Sequence, residues 1–585
     1  MQKYNFKTYA QLFTYILKNH KNETFLNYIQ NNTYKHISVQ EFGSRVKYLT
    51  YALKNIGITS HENIAIYVKS SPDWLIIDFA LQLLGAVSVP IFANISSKNL
   101  NFEINDSNIK YMFTDNDEIP NNLKNSLTIF SVDNNNNNNN NYKNEFTLET
   151  LYKQGKELDS NNTYDLDTLI NLVKEEDTFS IIYTSGSTGV PKGVELTHKN
   201  IISQLHYIHE DFHINHKDRA LSLLPLAHIF ERAVMSFYLS CGVSIYFVDD
   251  LKNVAVLMKE VKPTMMTVVP RLLEKIFNKI KTKISEKSGI AKILGNAAFN
   301  RALIKTNPAP GILDVIYDKL VYSKFRESFG GELEILVTGG ASLNKDIYQF
   351  FVNIGLNLYQ GYGLTEFSPV ICANNPVHNK VGTSGLPFSD VEVKLTSDNE
   401  LLARGKSIMK GYKNRPDLTK EVIDAEGWLH TGDLASIDKE GFITIHSRKK
   451  ELFKTSNGEY VSVVPIEQEL CKSRFIDFSA VIANDRQYVT ALLFVDVETY
   501  KQYKEKSKHD DSFTVDDFYN LKQVQNKIKK HINLINSNLN KWEMIVKYEI
   551  ITQSLSIENG ELTPSMKICR AVIESKYESR INTMY

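Results

Sequence analysis

The sequence predicts an α/β protein, with a large N-terminal body of mixed β-sheets and helices followed by a smaller α+β domain. Three observations point there. At 585 residues the chain exceeds the roughly 250–300 residues at which one core stops growing. Runs of β-formers alternate with helical stretches through most of its length. After about Ser447 the texture changes to short alternating strands and a Lys-rich helical segment.

Taken in order, "NIAIYV" (Asn63–Val68) reads as a strand, Pro72–Leu84 as a buried helix and Ala86–Ile91 as a second strand, a parallel α/β unit. "WLIIDFALQLLGAVSVPIFANI" (Trp74–Ile95) could pass for a membrane span, but Asp78, Gln82, Gly85 and Pro90 interrupt it. "RALSLLPL", "VSIYFV", "MMTVVP" and "LEILVTG" read as further strands, with the helical "RLLEKIFNKIKTKI" among them. The eight asparagines from Asn134 to Asn141 cannot bury enough apolar surface to offset ordering, so they read as a disordered insertion. Beyond Ser447, "VVPIEQEL" starts an amphipathic helix, "FSAVIA" and "VTALLFVDV" alternate like paired strands, and 501–542 reads as helical. The expected domains are therefore 1–447 and 448–585.

Lys plus Arg equals Asp plus Glu at 67 each, so no global charge points to nucleic acid, and phosphate recognition must be local. Cys241, Cys372, Cys471 and Cys569 lie too far apart for a C-x-x-C site and suit a reducing compartment. The polar N-terminus has no apolar signal region. These features suggest a cytoplasmic protein. Peripheral contact with an intracellular membrane, such as endoplasmic reticulum, endosome or lipid droplet, stays open, as does a homodimer.

"TSGSTGVPKGVELTHKN" (Thr184–Asn200) is the first candidate site. A Walker loop needs a helix beginning at its lysine, with a hydroxyl residue next. Here Pro191 precedes Lys192 and Gly193 follows it, so that reading fails. What remains is a strand ending in a loop whose glycines, Gly186 and Gly189, let backbone N–H groups approach an anion. The hydroxyls of Thr184, Ser185, Ser187 and Thr188 and the charge of Lys192 add to it. That chemistry suits a polyphosphate; a plain Gly/Ser turn before a β-hairpin is the bland alternative.

The longer string "YTSGSTGVPKGVELTH" resembles the phosphate motif of the adenylate-forming (AMP-binding) superfamily, and further motifs follow in the family's order. "LLPLAHIFER" places His228 at the family's acyl and nucleotide site, and "LVTGGASL" places Gly339 and Gly340 against adenine. "YQGYGLTE" implies an adenine-stacking Tyr362 beside Gly363, with Thr365 and Glu366 handling phosphate and Mg²⁺. In "GWLHTGDLASIDKEGFITIHSRKKELFKTSNGEYVS", Asp433 and Arg448 match the ribose-binding pair, Lys450 the hinge, and Gly458, Glu459 and Tyr460 a segment facing CoA. "NGELTPSMKICR" puts the family's catalytic lysine at Lys567.

The "GWLHTGD", "RKKELFK" and "GEYVS" elements are similar to long-chain fatty acyl-CoA synthetases in particular. The resemblance, from about residue 25 to 575, implies a long-chain fatty acid:CoA ligase with a mobile C-terminal lid. It would take ATP and CoA as co-substrates and Mg²⁺ as cofactor. Val463, Ser447 and Cys569 depart from the usual pattern and bear on CoA docking. A ligase for a medium-chain or aryl acid, an acyl-adenylate donor to a carrier protein, and an inactive fatty-acid or nucleotide binder are the rival readings.

Overall fold

The computed structural model describes residues 4–31, 33–116, 119–132, 145–185, 190–305, 311–507, 510, 512–563 and 566–585. The asparagine tract and Gly186, Ser187, Thr188 and Gly189 lie outside them. Among the described residues, two large sheets make up the body. The first has eight strands in the order Gly411–Tyr412, Pro191–Thr197, Thr178–Ser185, Val87–Pro90, Asn63–Tyr67, Tyr111–Thr114, Thr128–Ser131, Glu145–Thr147. The second has nine, ordered Leu386–Pro387, Val370–Ala373, Leu358–Gly363, Ile335–Thr338, Met265–Val268, Arg219–Ser222, Ser244–Phe247, Leu26–Gln30, Thr33–Ile37. From Thr178–Ser185 to Glu145–Thr147 in the first sheet, and from Leu358–Gly363 to Leu26–Gln30 in the second, neighbouring strands run parallel, as strand–helix–strand succession requires.

The expected helix forms over Pro72–Leu83, with Pro72 in its first turn and the Ser71 side chain accepting from the Trp74 amide. Every residue from Trp74 to Leu83 is buried, Asp78 and Gln82 included, so it is a core helix enclosed on all sides. The strand expected over 86–91 is Val87–Pro90. Asp78, which breaks the apolar run, faces Arg232, and both side chains are fully buried. The guanidinium holds the carboxylate in a fork, with Nε–Oδ2 2.9 Å and Nη2–Oδ1 2.6 Å. It also donates to Ser180 and Ser88 and lies 3.9 Å from the centre of the Phe179 ring. A buried charge pair is tolerable when its hydrogen bonds are satisfied in this way. Among the described residues no helix is long and apolar enough to cross a membrane.

An antiparallel four-stranded sheet, Glu392–Leu395, Glu400–Arg404, Leu429–Ile437 and Ile443–Arg448, follows the two large sheets. The smaller C-terminal domain then builds its own core around Val461, Ile466, Leu493 and Ile528. Ile476–Ile482 pairs antiparallel with Val489–Val495, which pairs parallel with Ile545–Ile551. The helix expected from 501 to 542 is instead broken into Val497–Ser507, Val515–Asn520 and Lys522–Asn536. A reciprocal cap between Thr514 and Asp517 starts the second, and extended backbone at Leu521 separates it from the third.

Candidate active site

The best-defined cluster forms where the ends of two strands meet the middle of a third. Antiparallel register sets Asp433, on Leu429–Ile437, opposite Arg448, on Ile443–Arg448, with Nε–Oδ1 3.3 Å. Tyr362, near the end of Leu358–Gly363, donates its hydroxyl to Asp433 Oδ2 at 2.6 Å. Asp433 is buried, which raises its pKa, while Arg448, the Tyr362 hydroxyl and Lys567 act to lower it. The turn into this site needs glycine: a Cβ at Gly363 would lie 1.8 Å from the Pro369 carbonyl oxygen.

Lys567 reaches this cluster from the C-terminal domain. The local bridge Leu562↔Ile568 and the bond from the Lys567 amide to Thr563 Oγ1, 3.0 Å, fix its backbone. Its ammonium donates to the Gly340 carbonyl at 2.8 Å. Solvent reaches the side chain, yet protein crowds it; that crowding, with Arg448 nearby, lowers the ammonium pKa from 10.5. On the opposite wall His228 caps the helix Ile229–Ser240, its Nδ1 accepting from the Phe230 amide at 3.2 Å. Burial and the Lys567 charge push its pKa to about 4, so at neutral pH it is uncharged. Gly339 lies between, where a Cβ would be 3.1 Å from the Phe230 ring.

The strands that flank the phosphate-loop candidate, Thr178–Ser185 and Pro191–Thr197, pair antiparallel, with Thr184 opposite Lys192. No helix begins at Lys192, which lies in the strand Pro191–Thr197. The next helix starts at His198, under a reciprocal cap of Thr197 and Asn200. Glu366 sits opposite the hairpin in the short turn Thr365–Phe367, with Thr365 buried. Tyr412, which sequence reasoning missed, joins the two. Its hydroxyl donates to Glu366 Oε1 at 2.7 Å, and Lys192 Nζ lies 5.1 Å from its ring centre. Tyr412 gets there because Gly411–Tyr412 adds an edge strand to the hairpin, Tyr412 against Val194. The only available signal was an aromatic beside a glycine in "MKGY".

Not every candidate lies in the cluster. Gly458, Glu459 and Tyr460 lie at the turn of the hairpin Leu452–Lys454/Tyr460–Ser462, with Gly458 at φ +88°. That turn bonds within its own domain, Ser456 N to Arg486 O and Asn457 Nδ2 to Gln487 O. Lys450 lies in the turn Lys449–Glu451 directly after Arg448, where Lys449 bridges Asp398 and Glu400. The C-terminal domain is docked through Asn344 to Glu469 (2.8 Å), Gln468 to the Ser342 carbonyl (3.2 Å) and Arg271 to Asp477. In this arrangement Lys567 points into the cluster and the 457–460 turn does not.

The comparisons with known proteins agree with this architecture. A family described as AMP-binding enzyme matches residues 13–413, and its C-terminal domain family matches 450–585. The chain is 28% identical over 565 residues to the long-chain-fatty-acid–CoA ligase FadD15 of Mycobacterium bovis, covering 94% of this chain and 92% of that one. The adenylation domain of a carboxylate reductase from Mycobacterium chelonae superposes with TM-score 0.74 at 18% identity, over 100% of this chain and 92% of that one. An o-succinylbenzoate CoA synthetase from Bacillus subtilis, in complex with ATP and magnesium ion, superposes with TM-score 0.67 at 18% identity, over 96% and 98%. The chain is a member of the AMP-binding enzyme family.

Proposed function

We propose that this protein is a long-chain fatty acid:CoA ligase, which uses ATP to form an acyl adenylate and pyrophosphate and then passes the acyl group to CoA. The observation that carries the reading is the insertion of Lys567 from the C-terminal domain among Gly340, Asp433, Arg448 and His228. In the first step a carboxylate must approach an α-phosphate, and both are anions. Catalysis is then mainly charge neutralisation and positioning.

Lys567 bridges the two reacting anions, while Lys192 and the segment Thr184–Gly189 hold the departing pyrophosphate. Asp433, an acceptor-only group, takes the ribose hydroxyls with Arg448 beside it. Tyr362 stacks on adenine, flanked by the Gly339–Gly340 and Gly363 backbones. His228, uncharged, lines the acyl side without adding a second cation next to Lys567. A magnesium ion carried by the nucleotide fits the donors present. Glu366 offers one half-buried carboxylate near Thr365, and among the described residues no three His, Cys, Asp or Glu side chains converge on a metal. Mg²⁺ is typically held by one or two carboxylates together with phosphate and water, and when bound it neutralises charge on the leaving phosphates.

In the second step Lys567 has no task. A lid of residues 448–585 turning on the 1–447 body near Lys450 would withdraw it and bring Asn457–Tyr460 towards CoA. The long-chain assignment is supported by the name of the full-length mycobacterial relative and by the Gly427–Ser462 segment. A medium-chain or aryl acid, or transfer to a carrier protein, is the alternative within the family. The test separates the half-reactions. Lys567→Ala should slow palmitoyl-adenylate formation about 10²–10³-fold, the usual cost of losing one transition-state donor, and should leave thioester formation from pre-made palmitoyl-AMP within severalfold of wild type. Equal loss in both steps would sink the assignment of Lys567, and a ladder of fatty acids with and without CoA reads out chain length and acceptor.

A further inference from the structure

The helix Gly289–Ile304 is apolar on two sides. Gly295, Ala298, Phe299 and Ala302 face the core. On the other side Ile290 is 83% exposed, Ile293 71% and Ile304 75%. At 100° per residue these three and Ala297 fall within about 60° of one another, a single outward stripe. The next helix, Ile312–Tyr317, is also apolar outward: Ile312 is 84% exposed and Val315 is in solvent, as is Leu320 in the turn Asp318–Tyr322 that follows. Arg301 and Lys305, from the first helix and its end, grip Asp314 of the second, so the two apolar faces belong to one fixed surface. Soluble proteins rarely leave so many large aliphatic side chains together in water.

The charge of the same region is one-sided. Between Lys275 and Arg326 the sequence has eleven Lys or Arg against three Asp or Glu, a net of +8 in a chain whose total is zero. All three acids are already engaged: Glu286 with Lys506, Asp314 with Arg301 and Lys305, and Asp318 with Arg326. Lys283, Lys287, Lys292, Lys319 and Lys324 are exposed. Interfaces between proteins are enriched in aromatics and depleted in lysine; this surface has exposed aliphatics bordered by lysine, the pattern of interfacial lipid binding.

We infer that the helices Gly289–Ile304 and Ile312–Tyr317 dock this protein on an anionic lipid bilayer, the isoleucines entering the acyl boundary and the lysines meeting the headgroups. The inference stands on the surface alone, so it is tested without nucleotide or fatty acid and can fail independently of the proposed reaction. The full-length protein is sedimented with vesicles of phosphatidylcholine, or of phosphatidylcholine with phosphatidylserine, at low and raised salt. Wild type should favour the anionic vesicles and lose most of that preference at raised salt. The combined variant Ile290→Ser, Ile293→Ser, Ile312→Ser, Val315→Ser should bind at least about tenfold more weakly at either salt. Lys287→Glu with Lys292→Glu, Lys319→Glu and Lys324→Glu should abolish the anionic preference, each lysine near the surface contributing about fivefold in binding. Circular dichroism and thermal melting check that the variants are folded. No binding by wild type, or equal binding by the isoleucine variant, overturns the proposal. So does a wild-type mass in solution twice that of the isoleucine variant, which would make this face a contact between two copies.

Discussion

Replacing Tyr412 by phenylalanine removes one hydroxyl and keeps the ring. In the protein that hydroxyl, on a buried side chain, donates 2.7 Å to Glu366 Oε1, while Lys192 sits 5.1 Å from the ring centre. A hydrogen bond to a charged group contributes about 1.5–3 kcal/mol, and 1.4 kcal/mol is a factor of ten. If Glu366 must be held in place to receive the nucleotide's metal and phosphates, Tyr412→Phe should lower kcat/KM for MgATP in pyrophosphate release by roughly ten- to a hundredfold. Tyr412→Leu removes the ring as well, and the lost cation–π contact of about 0.5–1 kcal/mol should cost a further two- to fivefold. Thioester formation from pre-made acyl adenylate involves no pyrophosphate and should stay near wild type. A Phe variant within twofold of wild type, or one impaired equally in both half-reactions, would refute the idea that Tyr412 works through Glu366.

Asp78→Asn keeps the shape of the buried pair but leaves the Arg232 charge uncompensated, so the body should lose about 3–5 kcal/mol in urea unfolding. The double variant with Arg232→Met should recover part of the loss, and a single-variant effect below about 1 kcal/mol would contradict the pairing. The lowered pKa of Lys567 gives a pH prediction with a definite sign. Adenylation needs the charged amine, so kcat/KM for MgATP should fall as pH rises, with an inflection below the 10.5 of a free lysine. Lys567→Arg should move that fall to higher pH. By linkage the unfolded chain holds more protons than the folded one between the lowered value and 10.5, so this lysine makes stability rise with pH across that window. His228, at about 4, is neutral at pH 6–8 and should add no inflection there.

Much of the scaffold was legible in the sequence. The strand–helix–strand unit from Asn63 to Pro90, the strands Arg219–Ser222, Ser244–Phe247, Met265–Val268 and Ile335–Thr338, and the paired strands of the C-terminal domain all follow from local periodicity. The rejection of a Walker loop also held, because proline and glycine around Lys192 act on their own backbone. The antiparallel sheet Glu392–Arg448 was not read from the sequence, because polar residues fill inward positions that would otherwise show an apolar pattern: Thr431 and Asp433 on Leu429–Ile437 and Glu400 on Glu400–Arg404 are all buried. The break in the 501–542 helix was missed because Thr514 and Asp517, which start a new helix, stand inside a run that otherwise favours helix.

The sequence by itself determined which residue types are available and in what order: a glycine- and hydroxyl-rich loop, a Thr-Glu pair, an Asp followed fifteen residues later by an Arg, and a lysine close to the C-terminus. Those are local chemical facts, and motif spacing carries them. Tertiary structure decided what they touch. Asp433 meets Tyr362 and Arg448 through strand register, Tyr412 meets Glu366 through an edge strand contributed from more than two hundred residues beyond the hairpin, and Lys567 meets Gly340 across the two domains. Such contacts depend on how sheets pack and domains dock, long-range terms that periodicity in the chain does not encode. The outward isoleucine stripe is of the same kind: the sequence shows an apolar helix, and only packing shows which half of it is left in water.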